Sequence, residues 1–185
     1  MPDEVRLLIS NCSDHLKPIV TIAVHTGIRK TELLTLNRSQ VDFNLGIITL
    51  TDTKNQEVRH LPMNETVKNT LKSIKGDGEY YFGSLIKRGE PLSRIDKAFG
   101  YALKRSKIED FTFHDLRHCF ASNLTMAGVG LFEVSELLGH KNVQITKRYA
   151  HLSPNYKNQS VAILDRVMSL NPPQVKNQEQ KVANL

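Results

Sequence analysis

Three glycines constrain this chain more than any other feature: Gly27, Gly128 and Gly139 each stand directly behind a run with helical apolar spacing. A glycine in that place adopts the left-handed conformation that closes a helix. The chain therefore reads as a set of short helices with stops written into the sequence. Pro18 starts the run that Gly27 ends, with Ile22 and Ala23 inside it. His114 to Ala127 is the run closed by Gly128, and Leu131 to Leu138 the run closed by Gly139.

The rest fits around these stops. Asp3 to Asn11 predicts a short helix with Val5, Leu8 and Ile9 on one face, and a third helix behind Arg29 carries Leu33, Leu34 and Leu36. Val41 to Phe43, Ile47 to Thr51 and Val58 to Leu61 predict strands, joined by the turns Asn44-Leu45-Gly46 and Lys54-Asn55-Gln56-Glu57. Pro62 ends the last of them. Asn64 can cap a helix with Val67, Leu71 and Ile74 inside it. Ser93 with Asp96 resembles a cap for a helix reaching about Ser106, where Tyr101 reads as core. Asn142 to Ala150 also reads as helical, and Ser153-Pro154 as the start of a last helix with Val161, Leu164, Val167 and Met168 along one side. Residues 171–185 are polar and predict a disordered tail. The fold class is mainly α with a small three-stranded antiparallel sheet.

Composition narrows function only slightly. The net charge is +6; Lys176, Lys181 and Glu179 leave the tail at +1, so +5 falls on the folded body. That suits a polyanionic partner without requiring one. No apolar run approaches the ~20 residues of a membrane span, and Asp3 and Glu4 stand where a secretory leader would be basic. A cytoplasmic protein without membrane partners is expected. Cys12 and Cys119 are not in a CxxC and read as reduced thiols.

Six polar residues carry the chemistry: Arg29, Lys54, His114, Arg117, His140 and Tyr149. Taken singly, each has an ordinary reading, as a solvated charge, a packed histidine or a half-buried tyrosine. Arg29 follows a helix stop and projects from a tight turn, with Glu32 three residues on to orient it. Guanidinium is a planar donor fork that matches two phosphate oxygens. His114 and Arg117 share one helix face. His140 directly follows Gly139, where the bare backbone permits close approach. A metal site built on His114 and His118 with Cys119 or His140 is disfavoured. The residues between the first two are Asp-Leu-Arg, and no well-spaced third ligand follows.

Together these pieces resemble the tyrosine recombinases of the phage-integrase family. Thr26-Gly27-Ile28-Arg29-Lys30-Thr31-Glu32-Leu33 resembles their first arginine motif, and His114-Asp115-Leu116-Arg117-His118 their His-x-x-Arg box. Leu137-Leu138-Gly139-His140, nine residues ahead of Tyr149 in Arg148-Tyr149-Ala150-His151, resembles their third motif and nucleophile. Lys54 resembles their β-hairpin lysine. Any one piece recurs by chance; the ordered set is specific, and it covers the chain to about Leu170. Cys119 stands where the family often has a small hydroxyl residue.

The resemblance implies a catalytic domain over 1–170, with the family's N-terminal core-binding domain absent. It implies strand cleavage by Tyr149, leaving a 3′-phosphotyrosyl link and a free 5′ hydroxyl. Arg29 and Arg117 would hold the non-bridging oxygens, His140 would bond one of them, His114 would help take the phenol proton, and Lys54 would protonate the leaving oxygen. Glu32 and His151 would be supporting residues. No cofactor and no metal are implied. The partners would be double-stranded DNA and other protomers in a synaptic tetramer, with a monomer expected off DNA. Two other readings compete with this one. A helix-turn-helix regulator could be built from Ala121 to His140, but it gives Arg29, Lys54, His140 and Tyr149 no role. A type IB topoisomerase shares the chemistry and differs in not pairing two sites.

Overall fold

The computed structural model describes residues 2–52, 57–84 and 86–154 and, further on, residues 161, 163, 164, 167 and 168. Helix α1 (Pro2–Ser10) leads to α2 (Lys17–Thr26), which has Pro18 in its first turn and ends where Gly27 takes φ 63°. Helix α3 (Lys30–Leu34) follows at once. A Cβ on Gly27 would also run into the side chains of Phe120 and Leu138. This glycine thus closes α2 and lets two later elements pack against its end.

Strands β1 (Val41–Asp42), β2 (Ile47–Asp52) and β3 (Glu57–Pro62) form an antiparallel sheet in the order β1-β2-β3. Ile48 pairs with Leu61 and Leu50 with Arg59. Ile48, Leu50 and Leu61 are buried, whereas Val58 and His60 are exposed. The strict alternation of a strand therefore puts the Arg59 side chain on the inner face.

Helix α4 (Glu65–Ser73) is capped as expected, with Asn64 Oδ1 accepting from the Val67 amide at 3.0 Å. Helix α5 (Asp96–Ser106) corrects two expectations. Its N-cap position is Ile95, without a side-chain cap, because Ser93 lies too far upstream. Asp96 instead accepts from Lys30 Nζ at 2.9 Å. Tyr101 is exposed, not core; the helix buries Phe99, Ala102 and Ser106, and Phe99 packs on Phe111 and Phe113. Helix α6 (Asp115–Met126) and helix α7 (Leu131–Leu138) follow, the latter ending at Gly139 with φ 64°. The helical stretch expected over Asn142 to Ala150 is a 3₁₀ helix over Val143–Leu152, capped by Asn142 Oδ1 on the Gln144 amide. Val143, Ile145 and Thr146 are β-branched and weaken the α form there.

Two apolar clusters result. The larger draws on α1 to α5 and the sheet, with Leu8, Ile19, Ile22, Leu33, Ile48 and Leu71 essentially sealed from water. The smaller holds Ala121, Val134, Leu138 and Tyr149. Each buried Leu or Ile stabilises the fold by about 1.5–3 kcal/mol, so most of the stability lies in the larger cluster. Helix α6 serves both, Leu116 and Cys119 facing one and Ala121 the other.

The chain divides into two units, Met1–Ser153 and Pro154–Leu185. In the second, Val161, Ile163, Leu164, Val167 and Met168 are helical and exposed, in keeping with the apolar stripe read from the sequence. The start of that helix and the expected tail over 171–185 lie outside the described residues. Cys12 and Cys119 are free thiols, the second buried. Among the described residues no helix is long and apolar enough to cross a membrane.

Candidate active site

A helix ends with carbonyl oxygens that have no partner in the helix and carry the negative end of its dipole. At the end of α7 three arginines meet those oxygens. Arg117 Nη2 donates to Leu138 O at 2.6 Å, Arg29 Nη2 to Gly139 O at 3.2 Å, and Arg59 Nη1 to Leu137 O at 3.4 Å and also to Leu138 O. The groups come from α6, from the turn after α2, and from β3. Gly139 is needed for this convergence: a Cβ there would overlap the Arg59 side chain, and its φ disfavours any other residue.

Glu32, in the first turn of α3, holds two of the three. Its Oε1 lies 2.8 Å from Arg29 Nη1, and its Oε2 lies 2.9 Å from Arg59 Nη2 and 3.0 Å from the Arg29 amide. One carboxylate among three guanidiniums leaves the crevice net positive. Arg117 is buried, and its Nη1 donates to Gly27 O at 2.6 Å. Burial, with Arg29 and Arg59 nearby, brings its pKa down to about 10, still fully charged at neutral pH. A guanidinium has five N–H donors, so each of these arginines keeps donors beyond those fixed to backbone.

His140 opens the polypeptide onward from this knot. Its Nδ1 lies 2.8 Å from the hydroxyl of buried Thr146. Burial and then the charges of Arg117, Arg29, Arg59 and Arg148 push its pKa down to about 4, so the ring is neutral at pH 7. Arg29, Glu32, Arg59, Gly139, His140 and Lys141 line one crevice of about 270 Å³ together with Leu50 and Ile145. One turn beyond Thr146, Tyr149 is buried in the smaller cluster with its hydroxyl 2.5 Å from His118 Nδ1. Burial raises the phenol's pKa, and Arg148 and Arg117 oppose the rise. His118 in turn packs edge-on against His114, 4.8 Å between ring centres.

Residues 1–156 match the sequence model of the Phage integrase family. The chain belongs to the phage integrase family. The integrase of Salmonella phage P22 is 30% identical, covering 97% of this chain and 50% of that protein. The integrase of Escherichia phage 186 is 32% identical over 92% of this chain and 46% of its own length. This chain thus spans about half the length of the curated relatives it matches. Among solved structures, the catalytic domain of bacteriophage HP1 integrase superposes with a TM-score of 0.72 at 28% identity, covering 93% of this chain and 97% of that one. The mainly helical fold with one small antiparallel sheet is the fold of that domain.

The integrase-like motifs fall in the folded structure as follows. Arg29, Arg117 and His140 gather at the end of α7, and Tyr149 sits on the segment packed beside it. His114 lies on the same α6 turn but is exposed, and His118, not His114, meets the phenol. Lys54 lies outside the described residues. Glu32 orients Arg29 as expected, and His151 is exposed. Arg59 was not singled out from the sequence. Its signal was nevertheless there: in the strand Val58 to Leu61, alternation sets an arginine in phase with core Leu61, a charge at an inward position that requires a partner.

Proposed function

We propose that this chain is the DNA-cleaving part of a site-specific recombinase, with 1–170 as its catalytic domain and double-stranded DNA in the cytoplasm as its substrate. The observation that carries this is the seam between α7 and the 3₁₀ segment packed on it: a buried phenol with an imidazole on its hydroxyl, carried beside the helix end where guanidiniums gather near a neutral histidine. Such a seam suits phosphoryl transfer, which asks mainly for positioning and for charge placed where negative charge builds up. Arg29 and Arg117 hold the non-bridging oxygens, His140 donates to one of them from Nε2, and Tyr149 attacks phosphorus. Lys54 protonates the leaving 5′ oxygen. The exchange of one phosphodiester for another conserves the bond, so the reaction runs both ways and needs no cofactor. Other protomers on DNA complete the assembly, and the exposed stripe of Val161, Leu164, Val167 and Met168 is the surface suited to a neighbour. A regulator without catalysis would leave the Tyr149–His118 contact and the arginine cluster without work.

The test is adduct formation on a nicked suicide duplex. The wild-type chain forms a denaturant-resistant complex whose tryptic DNA-linked peptide contains Tyr149. Tyr149→Phe binds the same duplex and forms none. An adduct in that variant, or a DNA-linked peptide lacking Tyr149, refutes the assignment.

A further inference from the structure

We infer that His118, rather than His114, is the proton acceptor for the Tyr149 hydroxyl, so that the base of the reaction is the last residue of His114-Asp115-Leu116-Arg117-His118. The inference rests on the DNA-cleaving reading above. A general base must first be within hydrogen-bond reach of the proton it takes. His118 Nδ1 is 2.5 Å from the phenol oxygen. His114 has its ring against His118, 4.8 Å away at 85°, and stands exposed. His140 has its Nδ1 engaged with Thr146 Oγ1. Arg148 is exposed, and a guanidinium carries donors but no acceptor atom.

The helix explains why His118 has this place. On α6, Arg117 points between Gly27 and Leu138 and is buried. The next residue is turned by about 100°, towards the 3₁₀ segment that carries Tyr149. Four residues before it, His114 lies one turn back on the same face. The charged and titratable groups around His118 are His114, Asp115 and Arg117 on its own helix and Arg148 and Tyr149 on the segment across from it. Burial, His114, Arg148 and Arg117 lower its pKa, while Asp115 opposes them. A neutral ring with its proton on Nε2 leaves the Nδ1 lone pair facing the phenol O–H. Deprotonating a phenol of raised pKa by imidazole alone is uphill, so transfer accompanies attack. The O–H bond breaks as its proton moves to Nδ1, the phenol oxygen's electron pair forms the O–P bond, and the P–O5′ bond breaks with a proton delivered to the 5′ oxygen from Lys54. In the return step the 5′ hydroxyl attacks phosphorus and gives its proton to the Lys54 amine, the O–P bond to Tyr149 breaks, and the His118 imidazolium returns its proton to the phenol oxygen.

Single-turnover adduct formation across about pH 6 to 9.5, a window that brackets the ~6.5 of free imidazole and nears the ~10 of free phenol, tests this in the full chain. Wild type and Tyr149→Phe first establish that the adduct forms and where; failure there removes the DNA-cleaving reading itself. Given the adduct, His118→Ala is expected to lose roughly 10²–10⁴-fold at neutral pH, and the deficit is expected to shrink as pH rises and phenolate forms unaided. A smaller, pH-independent loss is expected for His114→Ala. A His118→Ala deficit of constant size at every pH, a wild-type rate, or the pH-dependent deficit appearing in His114→Ala instead overturns the inference. An arm without activity guards against a misfolded variant. In wild type without DNA, ¹⁵N resonances of His118 should show protonated Nε2 and an accepting Nδ1 that shifts in Tyr149→Phe. An Nδ1 indifferent to that substitution also overturns it.

Discussion

On the arginine side of the site each of the three guanidiniums is tied at least twice. Arg29 holds Glu32 and Gly139 O, Arg59 holds Glu32 and the carbonyls of Leu137 and Leu138, and Arg117 holds Gly27 O and Leu138 O. On the tyrosine side the phenol rests on His118, within an apolar cluster of four buried residues. It is carried by a ten-residue 3₁₀ helix, a form with poorer hydrogen-bond geometry that seldom runs beyond three or four residues. The difference fits two tasks. Groups that stabilise charge work best when they need no reorganisation at the moment of reaction. A nucleophile that must meet a phosphate, become covalently bound and later leave gains from a looser mount.

If that contrast is right, stability should fall much further for changes on the arginine side. Arg117→Ala strips the donor from Gly27 O and one of the two donors from Leu138 O; a buried orphan costs about 1–3 kcal/mol, and the void left by a buried side chain adds to it. Thermal unfolding followed by circular dichroism should show a Tm lower by roughly 5–20 °C. Tyr149→Phe loses one hydrogen bond, a net of about 0.5–1.5 kcal/mol, and should melt within a few degrees of wild type. Equal losses in the two variants would erase the asymmetry.

Arg59→Met sharpens the comparison at the next level down. Methionine keeps much of the stem but leaves Glu32 Oε2 to the Arg29 amide and Leu138 O to Arg117, and takes the arginine donor from Leu137 O. We expect a loss of roughly 1–3 kcal/mol and slower adduct formation, since Arg29 then shares its carboxylate with no one. A double-mutant cycle with Glu32→Gln should give a coupling of about 0.5 kcal/mol or more, as for groups in one network. Additive effects would mean that Arg59 supports β3 alone and not the crevice.

Most of the fold could be read from the residues because local rules governed it. Gly27 and Gly139 do adopt left-handed backbone at helix ends, Asn64 does cap α4, and the three strands pair as the turns suggested. The failures lie where a tertiary partner outweighed a local one. Asp96 went to Lys30 instead of a capping arrangement with Ser93. Tyr101 turned outward because Phe99 had aromatic partners in Phe111 and Phe113. Tyr81 is covered by the Arg38 guanidinium, 4.5 Å from the ring centre, a pairing between distant segments that no local rule gives. In the candidate site, motif order singles out Arg29, Arg117, His140 and Tyr149, but it cannot say which of His114 and His118 reaches the phenol. Nor does any motif name Arg59, whose place is set by sheet register.

The smallest expected effect separates the two sides by pH. An unperturbed histidine titrates near ~6.5, whereas the folded site holds His140 at about 4. Between those values the unfolded chain binds more protons at this residue than the folded one does, so stability falls as pH falls. His140's contribution is complete above about 6.5 and is lost as pH drops through about 4. His118 and His25 are also lowered, so they act with the same sign. Solvent reaches these rings and screens the effect, which should leave the Tm difference smaller than for either arginine variant. His140→Asn should flatten the Tm-versus-pH curve between about pH 4 and 6.5 relative to wild type, and the two curves should run parallel above it. Bound phosphate adds a second readout. An anion beside His140 offsets the field of Arg117, Arg29 and Arg59, so its pKa rises and binding takes up protons. Calorimetric titration with duplex near pH 5.5, in two buffers of different ionisation enthalpy, should show that uptake in wild type and less of it in His140→Asn. Equal uptake in both would place the phosphate away from His140, and the arginine cluster would then be a structural knot beside the site and not the site itself.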